Sequence, residues 1–353
     1  MQSVRQKMLR YIFFNTCTVL LGLMRLYIPL MSMVVFILFL ALPAAAHVPV
    51  LSGDHNTLAM AMQIKDPEIT YAIYGTLHET GQADYYIVSF KKGNTLNFMV
   101  ATPLQGSFAP WLMIAGPGLS PQGMVPPGII IPTGDQAVVV AGARPLSADY
   151  EPFSPMSTYQ TAMYTATAPT DRTYVIAVYT PDNGGPYSLA TGTLETFTAP
   201  EWILVPLDMV GVRIWQGQPP LLIFGPFLGV LVIGAGLLFM RPGLKRMTLA
   251  VWLGFFAGLL YVGSGAATLI QTGIALQMAS AGLAVLVTLV FAAIALCAGA
   301  AAITASVRSS EPIPWKFRVL MAGIGIIGLA AWAGLIIGPV FAFAAALIPD
   351  RNR

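Results

Sequence analysis

Charge is what this chain has least of. Of its 353 residues, 9% are Asp, Glu, Lys or Arg, against about 25% in soluble domains. What charge there is lies unevenly. Segment 47–200 carries eleven acidic and five basic side chains, a net of −6, while the whole chain is +3. The basic excess therefore sits elsewhere, and no Lys/Arg stripe interleaved with aromatics occurs, so the charge is no argument for nucleic acid and no such partner is expected. Cysteine is nearly absent. Cys17 and Cys297 both fall in apolar stretches, so segment 47–200 has neither disulfide nor thiolate-ligated metal. No Asn-x-Ser/Thr acceptor occurs there either. G-x-S-x-G, H-E-x-x-H and the phosphate-loop lysine motif are missing, and the few Gly-rich strings, such as Gly116-Pro117-Gly118, have no partner lysine. These absences point away from an enzyme.

What is abundant is apolar sequence, 56% of the chain. Four stretches, 221–240, 248–270, 276–307 and 317–348, reach or exceed the ~20 residues needed to cross a bilayer. Apart from Arg318 at the edge of the last, none holds an Asp, Glu, Lys, Arg or His. That argues against a proton-coupled pump or a charge-lined pore. Arg241, Lys245 and Arg246 follow the first stretch, and Arg308, Lys316 and Arg318 flank the third and fourth. Under the positive-inside rule these residues are cytoplasmic and segment 47–200 is extracytoplasmic; four spans then put both ends of the bundle outside, from which Arg351 and Arg353 dissent. Glycines at four-residue spacing (Gly225 and Gly229, Gly254 and Gly258, Gly334 and Gly338) suit close helix packing, within the bundle or between copies of the chain.

At the other end, Arg5, Lys7 and Arg10 precede an apolar run that closes on Ala44-Ala45-Ala46, the pattern of an export signal or an uncleaved signal anchor over 1–46. Segment 201–218, with Trp202 and Trp215 near its ends, reads as a linker lying in the membrane interface, or as a last strand and linker.

Between them the apolar period is two. Residues 85–90 and 95–100 flank Lys91-Lys92-Gly93-Asn94 and predict a hairpin; 137–140, 174–179 and 187–190 are further strands. Asp182-Asn183-Gly184-Gly185 reads as a hairpin turn in preference to a Ca²⁺ loop joined by Asp171. Short strands with turn chemistry between them predict an all-β antiparallel sandwich, jelly-roll-like, followed by an all-α transmembrane four-helix bundle.

Several of these residues carry a resemblance. They are Tyr74-Gly75-Thr76-Leu77, Asp84-Tyr85-Tyr86, Lys92-Gly93-Asn94-Thr95-Leu96, Arg172 through Tyr179, and Gly185-Pro186-Tyr187-Ser188-Leu189. Over 70–194 the pattern resembles the pre-peptidase C-terminal family of β-sandwiches, and the whole layout is similar to prokaryotic, particularly archaeal, membrane proteins of unassigned activity. The resemblance implies an accessory domain without catalytic residues. The chain departs from that family by a long central insertion and by the attached helices.

Two binding chemistries arise from the residues themselves. Cleavage after Ala46 would leave His47 amino-terminal, and its amine and imidazole, with His55 or His78, would offer Cu(II) a near-planar nitrogen set. Seven tyrosines (Tyr71, Tyr74, Tyr85, Tyr86, Tyr174, Tyr179, Tyr187) either pack the sandwich or stack on a sugar or protein partner. The expectation is a non-enzymatic, multi-pass cell-membrane protein displaying an acidic sandwich that binds or scaffolds a protein, an envelope polymer or a metal. Copper handling at His47, and service as an accessory subunit of a membrane complex, are the alternatives.

Overall fold

The computed structural model describes residues 47–103, 106–240, 247–309 and 312–349. The expected export segment 1–46, the basic residues Arg241, Lys245 and Arg246, and the tail residues Arg351 and Arg353 lie outside the described residues.

The first part is two packed sheets. Strands β1 (Val48–Leu51), β3 (Tyr71–Leu77), β5 (Thr95–Thr102), β8 (Asp149–Glu151), β9 (Met156–Thr167) and β11 (Gly185–Thr191) form one, in the order β1-β3-β11-β5-β9-β8. The other is β2-β4-β10-β6-β7, from β2 (Met62–Ile64), β4 (Ala83–Phe90), β6 (Trp111–Gly116), β7 (Gln136–Val140) and β10 (Arg172–Tyr179). Ile73, Phe98, Tyr187 and Leu189 of the first sheet close on Tyr86, Leu112, Tyr174 and Ile176 of the second, all almost fully buried. This is the expected sandwich, reached by period-two burial on strands such as β5.

Two expectations need correction. The sheets are not purely antiparallel: edge strands β1 and β2 run parallel to β3 and β4. Neither expected hairpin is one, because β4 and β5 lie in different sheets, as do β10 and β11. Their connections are arches across the sandwich. The 91–94 turn is tied to the neighbouring loop, with Lys92 N–H donating to Asp171 Oδ1 at 2.5 Å and Gly93 N–H to the Ala168 carbonyl at 3.0 Å. The tyrosines pack: of the seven, only Tyr71 is more than slightly exposed.

Each sheet also buries part of its outer face. The Pro/Gly-rich loop 117–135 lays Val125, Ile129 and Ile131 over the β2-β4-β10-β6-β7 sheet, where Tyr85 accepts the Ile130 N–H at 3.0 Å. The other sheet is covered by helix α1 (Ala199–Trp215), whose Val212 packs on Ala72, Tyr74 and Met156. The expected interfacial linker is thus a helix. Thr198 and Glu201 form a capping box, Pro200 stands in the first turn, and Gly217 at positive φ follows the end.

Beyond it come α2 (Pro220–Phe239), α3 (Leu249–Ala275), α4 (Ala284–Arg308), α5 (Trp315–Ala330) and α6 (Ile337–Leu347). Helices α2, α3 and α4 are each long and apolar enough to cross a membrane. The fourth expected stretch, 317–348, is not one helix. It breaks at residues 331–336, where Trp332, Leu335 and Ile336 take positive φ values of 52°, 53° and 63°. Such values disfavour any L side chain. Helix α6 then folds back along α5: Gly325 faces Phe343, and Arg318 Nη1 donates to the Ala346 carbonyl at 3.0 Å and to that of Ile348 at 2.5 Å. The last described residues therefore return to the end where Arg308, Lys316 and Arg318 lie. A bundle of four single-pass helices is replaced by three long helices and a helical hairpin.

The small residues serve this packing unequally. Gly258 meets the Gly299 carbonyl, Gly254 meets Phe317 and Met321, and Gly328 meets Tyr261, whose hydroxyl donates to the Ile324 carbonyl at 3.1 Å. Gly229 faces open space.

Candidate functional site

Segment 148–155 joins the sandwich to the helices. From β8, Tyr150 donates its hydroxyl to Thr288 Oγ1 at 2.8 Å, and Thr288 donates to the Pro152 carbonyl at 2.6 Å. Thr288 is the fifth residue of α4, so the loop passes below that helix's first turn. Ala148 forms a bridge with Ala279 in the α3–α4 connection. Phe153 goes deeper, against Phe291 at 5.8 Å and Trp332 at 6.3 Å between ring centroids. The break between α5 and α6 makes room for it. Trp202 donates to the Leu329 carbonyl and Trp332 to the Trp202 carbonyl, each at 3.0 Å, fastening α1 to the top of the hairpin. At the far end of α1, Trp215 donates to the Gly75 carbonyl at 2.8 Å.

Beneath α1 lies a cavity of about 150 Å³, walled by the 152–155 loop, α1, α2, α3, α4 and the 331–335 break. Its charged group is Arg213, 8% exposed. Arg213 Nη1 donates to the Pro155 carbonyl at 2.9 Å and to Gln216 Oε1 at 3.1 Å. Among the described residues no carboxylate forms an ion pair with it. Burial pulls its pKa down to about 10, with Tyr74 and Tyr150 opposing the shift, so it remains cationic at neutral pH. A polar relay leads from it towards α3: Gln218 and Gln271 exchange amide hydrogen bonds of 2.8 and 2.7 Å, and Gln218 Nε2 also donates to Gln216 at 3.3 Å.

An adjoining cavity of about 90 Å³ shares Phe153, Ser154, Val205, Met209 and Trp332 with the first and adds His47 and Glu151. Burial pushes the Glu151 carboxyl up to about 7; the Phe153 N–H it accepts at 3.2 Å opposes this, and Glu195 adds to it. A carboxyl whose pKa is higher in the folded chain contributes most stability below its unfolded value, and that contribution is lost as pH rises through about 7. Melting temperature is therefore expected to fall between pH 5 and pH 8, and Glu151→Gln, which still accepts from Phe153, should flatten the profile and raise the value at pH 8. Thermal melts of the two proteins across that range check it; parallel curves would contradict it.

The three histidines are not brought together. His47 lies level with Thr70 at the start of β3, its Nδ1 buried without a partner and its pKa lowered by burial. His78 follows the end of β3 and donates to Asp54 at 3.2 Å. That is about 25 Å of strand away. His55 Nδ1 donates to the Met60 carbonyl at 3.1 Å. The nitrogen set expected for Cu(II) does not form from these positions. Among the described residues no group of three His, Cys, Asp or Glu is placed to hold a metal ion. At the 182–185 turn, weighed above against a Ca²⁺ loop, the Asn183 carbonyl accepts from the Thr180 hydroxyl at 2.7 Å, and Asp171 accepts the Lys92 N–H.

Sequence reasoning missed Arg213. A signal was present: it is the single cation of 201–218, a largely apolar stretch that also bears Glu201, Asp208, Gln216 and Gln218. Compared with known proteins, the chain matches no protein-family model and no curated sequence.

Proposed function

We propose that this chain is a non-enzymatic, multi-pass membrane protein that holds an acidic β-sandwich rigidly against the outer membrane surface, as a recognition or scaffolding element for a partner protein or envelope polymer. The observation that carries this reading is the docking of loop 148–155 between α1, α4 and the α5–α6 hairpin, with Tyr150 bonded to Thr288 and Phe153 set among Phe291 and Trp332. A catalytic domain needs a cleft with convergent reactive groups. Here the polar groups converge on the seam between sandwich and helices, where they fix one part to the other. The resemblance to the pre-peptidase C-terminal family supports the same role, since those domains accompany other activities.

Orientation follows from charge. Arg308, Lys316 and Arg318 gather at the end away from the sandwich, and the folding back of α6 brings the last described residues there too.

Native mass spectrometry of the full chain, released with its surrounding bilayer from its own membranes, tests the role. A second protein or glycan retained at fixed stoichiometry, and lost when acidic surface residues such as Asp135 and Asp182 become Lys, is expected. Recovery of the chain alone in every preparation, with hydrolytic activity in the purified protein, would overturn it.

A further inference from the structure

We propose that the cavity under α1 is a binding site for a phosphate group, held by the Arg213 guanidinium at the seam between sandwich and helices.

A guanidinium carries five N–H donors and cannot shed its charge at neutral pH. Arg213 uses only Nη1, on two neutral acceptors. Among the described residues none accepts a hydrogen bond from its Nε or Nη2, yet the residue is 8% exposed and lines a cavity of about 150 Å³. A buried cation without a counter-charge is strongly unfavourable, and a guanidinium edge matches two oxygens of one anion. Glu151 does not fill this role: it lines the adjoining cavity, accepts the Phe153 N–H and makes no ion pair with Arg213. Thr268 and Gln271 add polar groups to the same wall, and the site is roomy enough for an ion with part of its substituents.

The remainder of the lining is apolar, including Ile223 and Phe227 of α2. Helix α3 has 27 residues, about 40 Å of length against a hydrocarbon core of about 30 Å. Gln271, one turn from its end, would then stand at headgroup level. A cationic, hydroxyl-bearing upper wall over an apolar lower one suits the phosphodiester and first chain carbons of a membrane lipid. A soluble phosphate entering from the aqueous side satisfies the same donors. The site stands on the cavity's geometry; only the lipid source rests on the membrane reading above.

The test uses the full chain delipidated in a neutral maltoside detergent, with thermal stabilisation and native mass spectrometry as readouts. Four probes are added separately: phosphatidylglycerol, phosphatidylcholine, diacylglycerol and inorganic phosphate. Expected is one retained phospholipid per chain with no response to diacylglycerol. Arg213→Gln should weaken retention by at least ~10-fold, as loss of a charged hydrogen-bonded pair does, and Arg213→Lys should fall between. A response to inorganic phosphate alone, lost in Arg213→Gln, keeps the site and assigns it to a soluble ligand. Equal retention by wild type and a folded Arg213→Gln would overturn the proposal. If that variant does not fold, the wild type decides: equal stabilisation by diacylglycerol and phosphatidylglycerol, or none by any phosphate probe, overturns it as well.

Discussion

Asp84→Ala is expected to destabilise the sandwich by about 3 kcal/mol, the scale set by breaking a buried hydrogen-bonded charge. Asp84 is fully buried, and its Oδ2 accepts the Tyr187 hydroxyl at 2.7 Å. That hydroxyl lies 2.5 Å from the Tyr86 hydroxyl, and Gln82 Nε2 reaches Asp84 Oδ1 at 3.4 Å. Because β4 and β11 belong to different sheets, the chain of groups is a polar tie through the sandwich core. Burial raises the pKa of Asp84, with the Tyr187 and Gln82 bonds pulling the other way. Alanine removes the acceptor and strands the Tyr187 donor between sheets. Asparagine keeps an acceptor oxygen without the charge, so Asp84→Asn should recover more than half of the loss. Denaturant melts of the three proteins in detergent report this. An alanine variant as stable as wild type would show that the tie is ornamental.

Phe153→Asp should separate the sandwich from the helices. The ring sits edge-on to both Phe291 and Trp332, while Trp332 also meets Trp202 at 4.5 Å between centroids. An aspartate there loses the aromatic packing, at a cost of about 3–5 kcal/mol. The strand part has its own core around Phe98, Tyr174 and Tyr187, so it is expected to stay folded. The variant should lose its single cooperative melt for two separated ones, and protease should gain access near 192–198. A single transition at the wild-type temperature would mean that Phe153 does not couple the two parts.

Much of the strand part was legible in the sequence because burial alternates with period two. Residues 85–90, 95–100 and 174–179 all fall inside real strands. Pairing was not legible. The alternation in 85–100 is the same whether the turn closes a hairpin or arches between sheets, and only the grip of Asp171 and Ala168 on the 91–94 turn decides. Parallel edge strands β1 and β2 were hidden for a related reason: their partners are set by distant chain, not by a local turn. Among the helices, hydropathy marked the apolar stretches well. It could not reveal the break at 331–336, because Trp332, Leu335 and Ile336 are as apolar as a continuous helix would be and Gly334 alone punctuates them. Trp332 in that break packs against Phe153 and Trp202, residues far away in sequence. The Arg213 site failed to stand out for the same cause. One arginine in an apolar segment has no motif, and it gains meaning once α1 roofs a cavity.

The central claim is that the sandwich stands outside the cell on helices whose far end, including the return of α6, is cytoplasmic. In a chain with Cys17 and Cys297 changed to Ser, single cysteines placed at Asp182, in the exposed arch between β10 and β11, and at Arg353 would be treated with a membrane-impermeant maleimide on intact cells. The account predicts immediate labelling at 182 and protection at 353 until the cells are lysed. Labelling of 353 in intact cells, or protection of 182, would contradict it.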